Sequence, residues 1–272
     1  MSWITARRRH PAAGYVILVL GLLLVGALYA SVTGAGTSAS ASPPVTTAQA
    51  LVSAGQRIFA QDCATCHGTY AQGTNSAPGL IGVGSAAVDF QVSTGRMPLA
   101  FQGNEGVRKP PRLNPKQTGE VAQYIGSLGG GPAIPSGAQV STSGANVGLG
   151  QQLFSANCGA CHNFVGAGGA LTYGKFAPAL TQSTNRQIYE AMQTGPEAMP
   201  VFNDTTITPS EKRDIIAFVT ETRTQPNPGG FSLGRVGPVT EGLVAFLGLL
   251  LFMVLMAMWI TGKKKGHSGE ES

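Results

Sequence analysis

All four cysteines of the chain fall in two copies of one five-residue pattern, Cys63-Ala64-Thr65-Cys66-His67 and Cys158-Gly159-Ala160-Cys161-His162, set 95 residues apart. The copies belong to a longer internal repeat. Gly55-Gln56-Arg57-Ile58-Phe59 precedes the first pattern as Gly150-Gln151-Gln152-Leu153-Phe154 precedes the second. Downstream, Ala77-Pro78-Gly79-Leu80 returns as Ala177-Pro178-Ala179-Leu180, and Thr94-Gly95 with Met97-Pro98 returns as Thr194-Gly195 with Met199-Pro200. Each half closes on a stretch of helical period, residues 119–128 and 210–222. Val121, Tyr124, Ile125 and Leu128 share a face in the first, and Ile215, Ile216, Phe218 and Val219 carry the apolar side of the second. The chain therefore holds two copies of one mainly α domain, residues 50–128 and 147–226. Units of about 80 residues have marginal hydrophobic cores, so each is expected to carry a staple or a cofactor.

The segments around the repeat are of a different kind. Residues 129–146 are uncharged and rich in Gly, Ser and Pro, which reads as a flexible linker, and residues 34–49 read as a stalk. Between His10 and Arg57 no charge occurs, and Tyr15 to Val32 is an apolar run of 18 residues. A second run, Gly242 to Gly262, holds 21 uncharged residues with Trp259 near its end. A helix of that length is about 31 Å long, the thickness of a bilayer core. Residues 239–262 are thus expected to span a membrane. Residues 1–33 are expected to do the same, the competing reading being a cleaved signal peptide that ends near Ala39-Ser40-Ala41. The retained helix is favoured because the run exceeds the usual ~7–15 residues of a signal core. The formal charge of +5 does not describe a nucleic-acid surface, since six of the 18 basic residues sit in Arg7-Arg8-Arg9 and Lys263-Lys264-Lys265. These runs put both termini, including the tail 263–272, in the cytoplasm, and both domains outside a multi-pass plasma-membrane protein. With 11% charged residues and 55 Gly and Pro together, the composition argues against a large cytosolic enzyme.

Cys-x-x-Cys-His is the pattern of covalent c-type haem attachment. Two cysteines three apart on a helical turn reach both vinyl groups of one porphyrin, and the following His meets the iron from the same side. A thioredoxin-like pair would need a βαβ setting and no His. A zinc site would need a fourth ligand and tetrahedral spacing, and a disulfide across three residues would be strained. Duplication inside a whole-domain repeat settles the choice for two covalently bound haem c groups, through Cys63 and Cys66 and through Cys158 and Cys161, with iron bound by His67 and His162.

Each half, by these residues, resembles a class I cytochrome c domain. The resemblance implies that Gly55 and Phe59 pack on Tyr124, and Gly150 and Phe154 on Phe218. It also implies that the carbonyls of Pro78 and Pro178 accept from the ligating histidines, fixing their orientation. The sixth ligand of each iron is then a methionine, which raises the potential. Met97 is the only methionine between Met1 and Met192. In the second half Met192 and Met199 compete. Met192 lies in a helical stretch where packing is the better reading, while Met199 precedes Pro200 as Met97 precedes Pro98, so Met199 is assigned.

Anchor, two domains, anchor and basic tail together resemble the dihaem cytochrome c subunit of actinobacterial quinol–cytochrome c reductase. That resemblance implies a translocating oxidoreductase complex in which this subunit has no catalytic site of its own. Its partners would be a cytochrome b subunit, a Rieske iron–sulfur protein that donates electrons, and the copper-containing subunit of a terminal oxidase that accepts them in a shared supercomplex. The alternatives are the dihaem subunit of a cbb-type oxidase or of a membrane dehydrogenase, which commonly anchor at one end only. A ligand sensor would need an open iron, and a peroxidase would need distal acid–base residues; neither is offered. The first domain carries a basic Pro-rich loop, residues 107–116, absent from the second and expected at the surface or against a partner. Chain order and the resemblance put electron entry at the first domain and exit at the second.

Overall fold

The computed structural model describes residues 12–34, 47–99, 105–225, 233 and 237–265. The basic run at residues 7–9, most of the expected stalk, and residues 266–272 of the tail lie outside the described residues. Contacts divide the chain into residues 1–49 and 50–272. The first unit contains α1 (Ala13–Gly34), which is apolar all round. α2 (Thr47–Asp62) leads into the second unit and runs directly to α3 (Ala64–His67), the turn that holds the first Cys-x-x-Cys-His. α4 (Ser85–Ser93) and α5 (Pro115–Ser127) complete the first domain. After the joining segment and α6 (Gly137–Val140), α7 (Val147–Asn157) and α8 (Gly159–His162) repeat the arrangement of α2 and α3. A two-stranded antiparallel ribbon follows, β1 (Gly169–Ala170) with β2 (Phe176–Ala177). α9 (Asn185–Thr194), α10 (Pro209–Thr224) and α11 (Pro238–Lys265) end the chain. The fold is mainly α: two helical domains of one pattern, preceded and followed along the chain by apolar helices.

α1 and α11 are long and apolar enough to cross a membrane. α11, at 28 residues, is about 42 Å long and carries the apolar run plus a turn at each end. The closing helices begin earlier than periodicity suggests, at Pro115 and Pro209. The cause is local. Asn114 and Thr208 each cap the helix and are capped in return by Gln117 and Glu211, and proline at the first position presets φ.

Each domain is closed by a crossing of its first and last helices. A Cβ on Gly55 would lie 1.9 Å from the Glu120 carbonyl oxygen, and one on Gly150 would lie 1.9 Å from that of Asp214. Only glycine permits backbones to approach this closely. Beside each glycine, an aromatic pair fills the crossing: Phe59 with Tyr124, centroids 5.4 Å apart at 52°, and Phe154 with Phe218, 5.3 Å at 51°. The two crossings expected from the resemblance are therefore present and nearly superimposable in geometry.

The segment 129–146 joins the domains but is not the loose linker its composition suggests. Ala86 donates to the Pro132 carbonyl, and Ile134 packs on the first core while Val140 packs on the second. Ser136 and Gln139 form a capping box on α6, and the Gln139 amide bonds the Tyr189 hydroxyl at 3.2 Å. Arg213 donates to the Ser141 and Ser143 carbonyls at 3.0 and 2.8 Å. With the Val140, Ser141 and Ser143 carbonyls accepting from side chains of the second domain, and Ile134 and Val140 half-buried against the two cores, the segment is a strap.

Candidate haem sites

In both halves the first helix ends at the first cysteine. Cys63 and Cys158 donate their N–H groups to the Phe59 and Phe154 carbonyls, and His67 and His162 donate theirs back to Cys63 and Cys158 at 3.0 and 2.9 Å. The chain then leaves the helix through Gly68 and Asn163, both with positive φ. It returns so that Gly73 and Gly168 bond the His67 and His162 carbonyls at 2.7 and 3.0 Å. The return places Pro78 and Pro178 against the imidazoles. His67 Nδ1 lies 2.8 Å from the Pro78 oxygen, and His162 Nδ1 lies 3.0 Å from the Pro178 oxygen. A carbonyl only accepts, so Nδ1 carries the proton in both rings and the lone pair is left on Nε2. That is the tautomer an iron requires, set by the backbone.

No disulfide joins the four cysteines; the first of each pair lies inward and the second is exposed. Burial, with the neighbouring Asp62 and Cys66 charges, pushes the Cys63 thiol up to about 11; burial, then Cys161, does the same for Cys158. Burial lowers the basicity of His162, partly offset by its bond to Pro178, which keeps the ring in its neutral, ligating form.

The methionines separate by burial. Met97 is half-buried and packs on the first core, with its N–H on the Gln91 carbonyl. In the second domain Met192 is 1% exposed and belongs to the core, while Met199 is half-buried, packs on that core and lines the cleft. Met192 also touches the cleft wall.

The second domain opens a cleft on the side of its Cys-x-x-Cys-His turn. Cys158, Cys161, His162 and Met199 lie along it, and Phe154, Leu180, Ile188, Ile215 and Val219 supply an apolar wall. A flat, largely apolar macrocycle with an iron fits that lining, which offers two thiols, an imidazole, a thioether and an apolar wall. Phe90, Arg96 and Glu105 of the first domain also line this cleft.

Nothing in the sequence repeat marks this shared lining. The domains dock through α4 and α9 and through the basic loop. Asp89 faces Arg186 at 3.9 Å, and the Gln187 amide donates to Ser93 Oγ at 3.1 Å. Arg108 donates to the Gln182 carbonyl at 2.8 Å, and Gly106 to Glu197 at 2.7 Å. The loop is thus partly an internal contact: Arg108 and Lys109 turn inward, the latter onto the Pro98 carbonyl at 2.8 Å, while Arg112 and Lys116 remain exposed. Glu190 is fully buried beside Asp89, and burial followed by the Asp89 charge pushes its carboxyl up to about 10.

A haem-binding turn, a proline-oriented histidine and a glycine–aromatic helix crossing, present twice, define the chain as a tandem of cytochrome c domains. A cytochrome c family model matches residues 52–129, and the model of cbb3-type cytochrome c oxidase subunit III matches residues 145–219. Over nearly the whole length the chain is similar to the cytochrome bc1 complex cytochrome c subunit of Corynebacterium diphtheriae, with 42% identity covering 94% of this chain and 96% of that one. The corresponding subunit of Mycobacterium tuberculosis H37Rv is 39% identical over 93% and 92%, and that of Mycobacterium leprae 43% over 88% and 86%. The FixP subunit of a cbb3-type oxidase from Sinorhizobium medicae is 32% identical over only 42% and 39%. The chain belongs to the family of cytochrome bc1 complex cytochrome c subunits. It is a membrane-anchored respiratory cytochrome c, an electron-transfer component of an oxidoreductase that binds haem c covalently.

Proposed function

We propose that the chain binds two haem c groups, one per domain, and relays electrons through them from a Rieske iron–sulfur protein to the copper-containing subunit of a terminal oxidase. Cys63 and Cys66 hold the first group and Cys158 and Cys161 the second. His67 with Met97, and His162 with Met199, supply the axial ligands, while Pro78 and Pro178 orient the imidazoles. The group supplies reversible one-electron chemistry when bound. The protein's part is to fix the neutral histidine tautomer, to offer a thioether that raises the potential, and to exclude water with an apolar wall. The observation that carries the reading is the repetition of the whole arrangement in two docked domains, histidine-to-proline bond included.

The relatives' name, cytochrome bc1 complex cytochrome c subunit, supports association with the other subunits of such a complex, and the partners proposed here are a cytochrome b and a Rieske protein. The basic runs at both ends support cytoplasmic termini and extracytoplasmic haem domains. Anchoring at both ends holds the domains beside their donor and acceptor, replacing a diffusing carrier by a high effective concentration. Electrons enter at the first domain and leave from the second. The match of residues 145–219 to a cbb3-type oxidase subunit favours one further reading, a subunit of such an oxidase. Co-purification in mild detergent separates the two: a Rieske centre and cytochrome b accompany the chain in the first case, a haem–copper catalytic subunit alone in the second.

Stopped-flow spectroscopy of the intact complex tests the direction. Substituting Met97 stops reduction of both haems by quinol, while substituting Met199 leaves the first reducible but not reoxidised by the oxidase. The opposite pattern reverses the order, and independent reduction of each haem removes the relay.

A further inference from the structure

The second cleft is lined by both domains, and the first domain's contribution includes a buried cation. Arg96 follows Gly95, whose positive φ turns the chain at the end of α4, and precedes Met97. Its guanidinium sits over the Phe90 ring, 4.9 Å from the centroid, and both residues line the cleft that holds Cys158, Cys161, His162 and Met199. Arg96 is 7% exposed, and its Nη1 is buried with no hydrogen-bond partner among the described residues. An unpaired donor on a buried cation is costly, and a guanidinium is shaped to donate two parallel bonds to one carboxylate.

No protein carboxylate takes that place among the described residues. Glu197 Oε1 accepts from the Gly106 N–H at 2.7 Å, and both Glu105 oxygens accept from the Phe176 N–H at 3.1 and 3.2 Å. Neither glutamate lies within 4.0 Å of Arg96 as an ion pair among the described residues. The cofactor assigned to this cleft carries two propionate carboxylates of its own. We infer that Arg96 of the first domain binds a propionate of the haem held by the second domain. The second site is then completed by a residue from the first copy of the repeat, next to the methionine assigned to the other iron. The inference rests on the two-haem reading above.

The test uses the full chain in mild detergent, with haems counted first and both midpoint potentials then resolved by spectroelectrochemistry. Met199→His, which lowers the potential of the second haem, assigns the two components. Arg96→Gln removes a positive charge beside an electron acceptor and lowers the second haem's potential. Arg96→Lys keeps the charge but loses the fork, so the potential stays nearer the original while the propionate-bending band in resonance Raman shifts. Arg112→Gln, which removes an exposed charge of the first domain that does not line the cleft, leaves both potentials in place. An unchanged second potential in Arg96→Gln overturns the inference, as does an equal shift in Arg112→Gln or an unmoved propionate band in Arg96→Lys. Fewer than two haems in the unsubstituted chain overturns the two-haem reading instead.

Discussion

Replacing Gly150 by alanine tests the helix crossing that positions the second site. The added methyl would lie 1.9 Å from the Asp214 oxygen and 2.4 Å from its carbonyl carbon, both backbone atoms that cannot swing aside. Restoring ordinary contact requires α7 and α10 to part by about 1.5 Å, and a gap of 0.5–1 Å already forfeits a quarter to a half of each dispersion contact along the crossing. The Phe154–Phe218 pair and the contacts of Ile215 and Val219 open with it. A cost of about 3 kcal/mol follows, at the upper end for overpacked cores. In a domain of this size that lowers Tm by roughly 10 °C or more. Gly148 lies on the same helix, where a Cβ would meet only the Asn146 side chain at 3.5 Å. Gly148→Ala should therefore stabilise by about 0.5 kcal/mol through reduced backbone entropy. Thermal melts of the full chain in detergent, followed by far-ultraviolet circular dichroism, read both variants. A Gly150→Ala protein within about 1 kcal/mol of the original, or a Gly148→Ala protein equally damaged, would refute the reasoning.

Glu190 makes stability depend on pH. Its native carboxyl holds a proton up to about 10, whereas the unfolded group releases it near 4.5. The native state binds the extra proton between those values, so stability falls as pH rises through that window, by up to about 1.4 kcal/mol per unit. Glu190→Gln should flatten the slope and raise stability at pH 8 relative to pH 6, which denaturant titrations at the two pH values would show. The methionine assignment is checked by paired variants: Met192→Leu conserves core volume, costs under about 1.5 kcal/mol and leaves both potentials unchanged. Met199→Leu abolishes about half of the weak Met-to-iron absorption and lowers the second haem's potential. Reversed outcomes would move the ligand to Met192.

Much of each site was legible because covalent and backbone requirements leave fixed marks. Cys-x-x-Cys-His is constrained by the porphyrin edge, Gly55 and Gly150 by backbone contact, and Pro78 and Pro178 by the need for an acceptor opposite an imidazole. The docking of the domains left no such mark. It depends on single polar residues, Asp89, Arg108, Gln187 and Glu197, which recur at no period and are indistinguishable in sequence from solvated surface. Arg96 likewise has nothing in the sequence to set it apart from a solvated charge, though it is 7% exposed. The strap was misread because Gly, Ser and Pro dominate its composition. Its one local signal was Ser136-x-x-Gln139, a capping-box spacing that announces a helix turn.

The account turns on the number of covalent haems, and a reduced pyridine haemochrome spectrum of the purified chain, set against protein concentration, measures it directly. Two c-type haems per polypeptide that survive acid–acetone extraction are predicted, falling to one when Cys158 and Cys161 are both replaced by alanine. One haem or none in the unsubstituted chain would contradict the account.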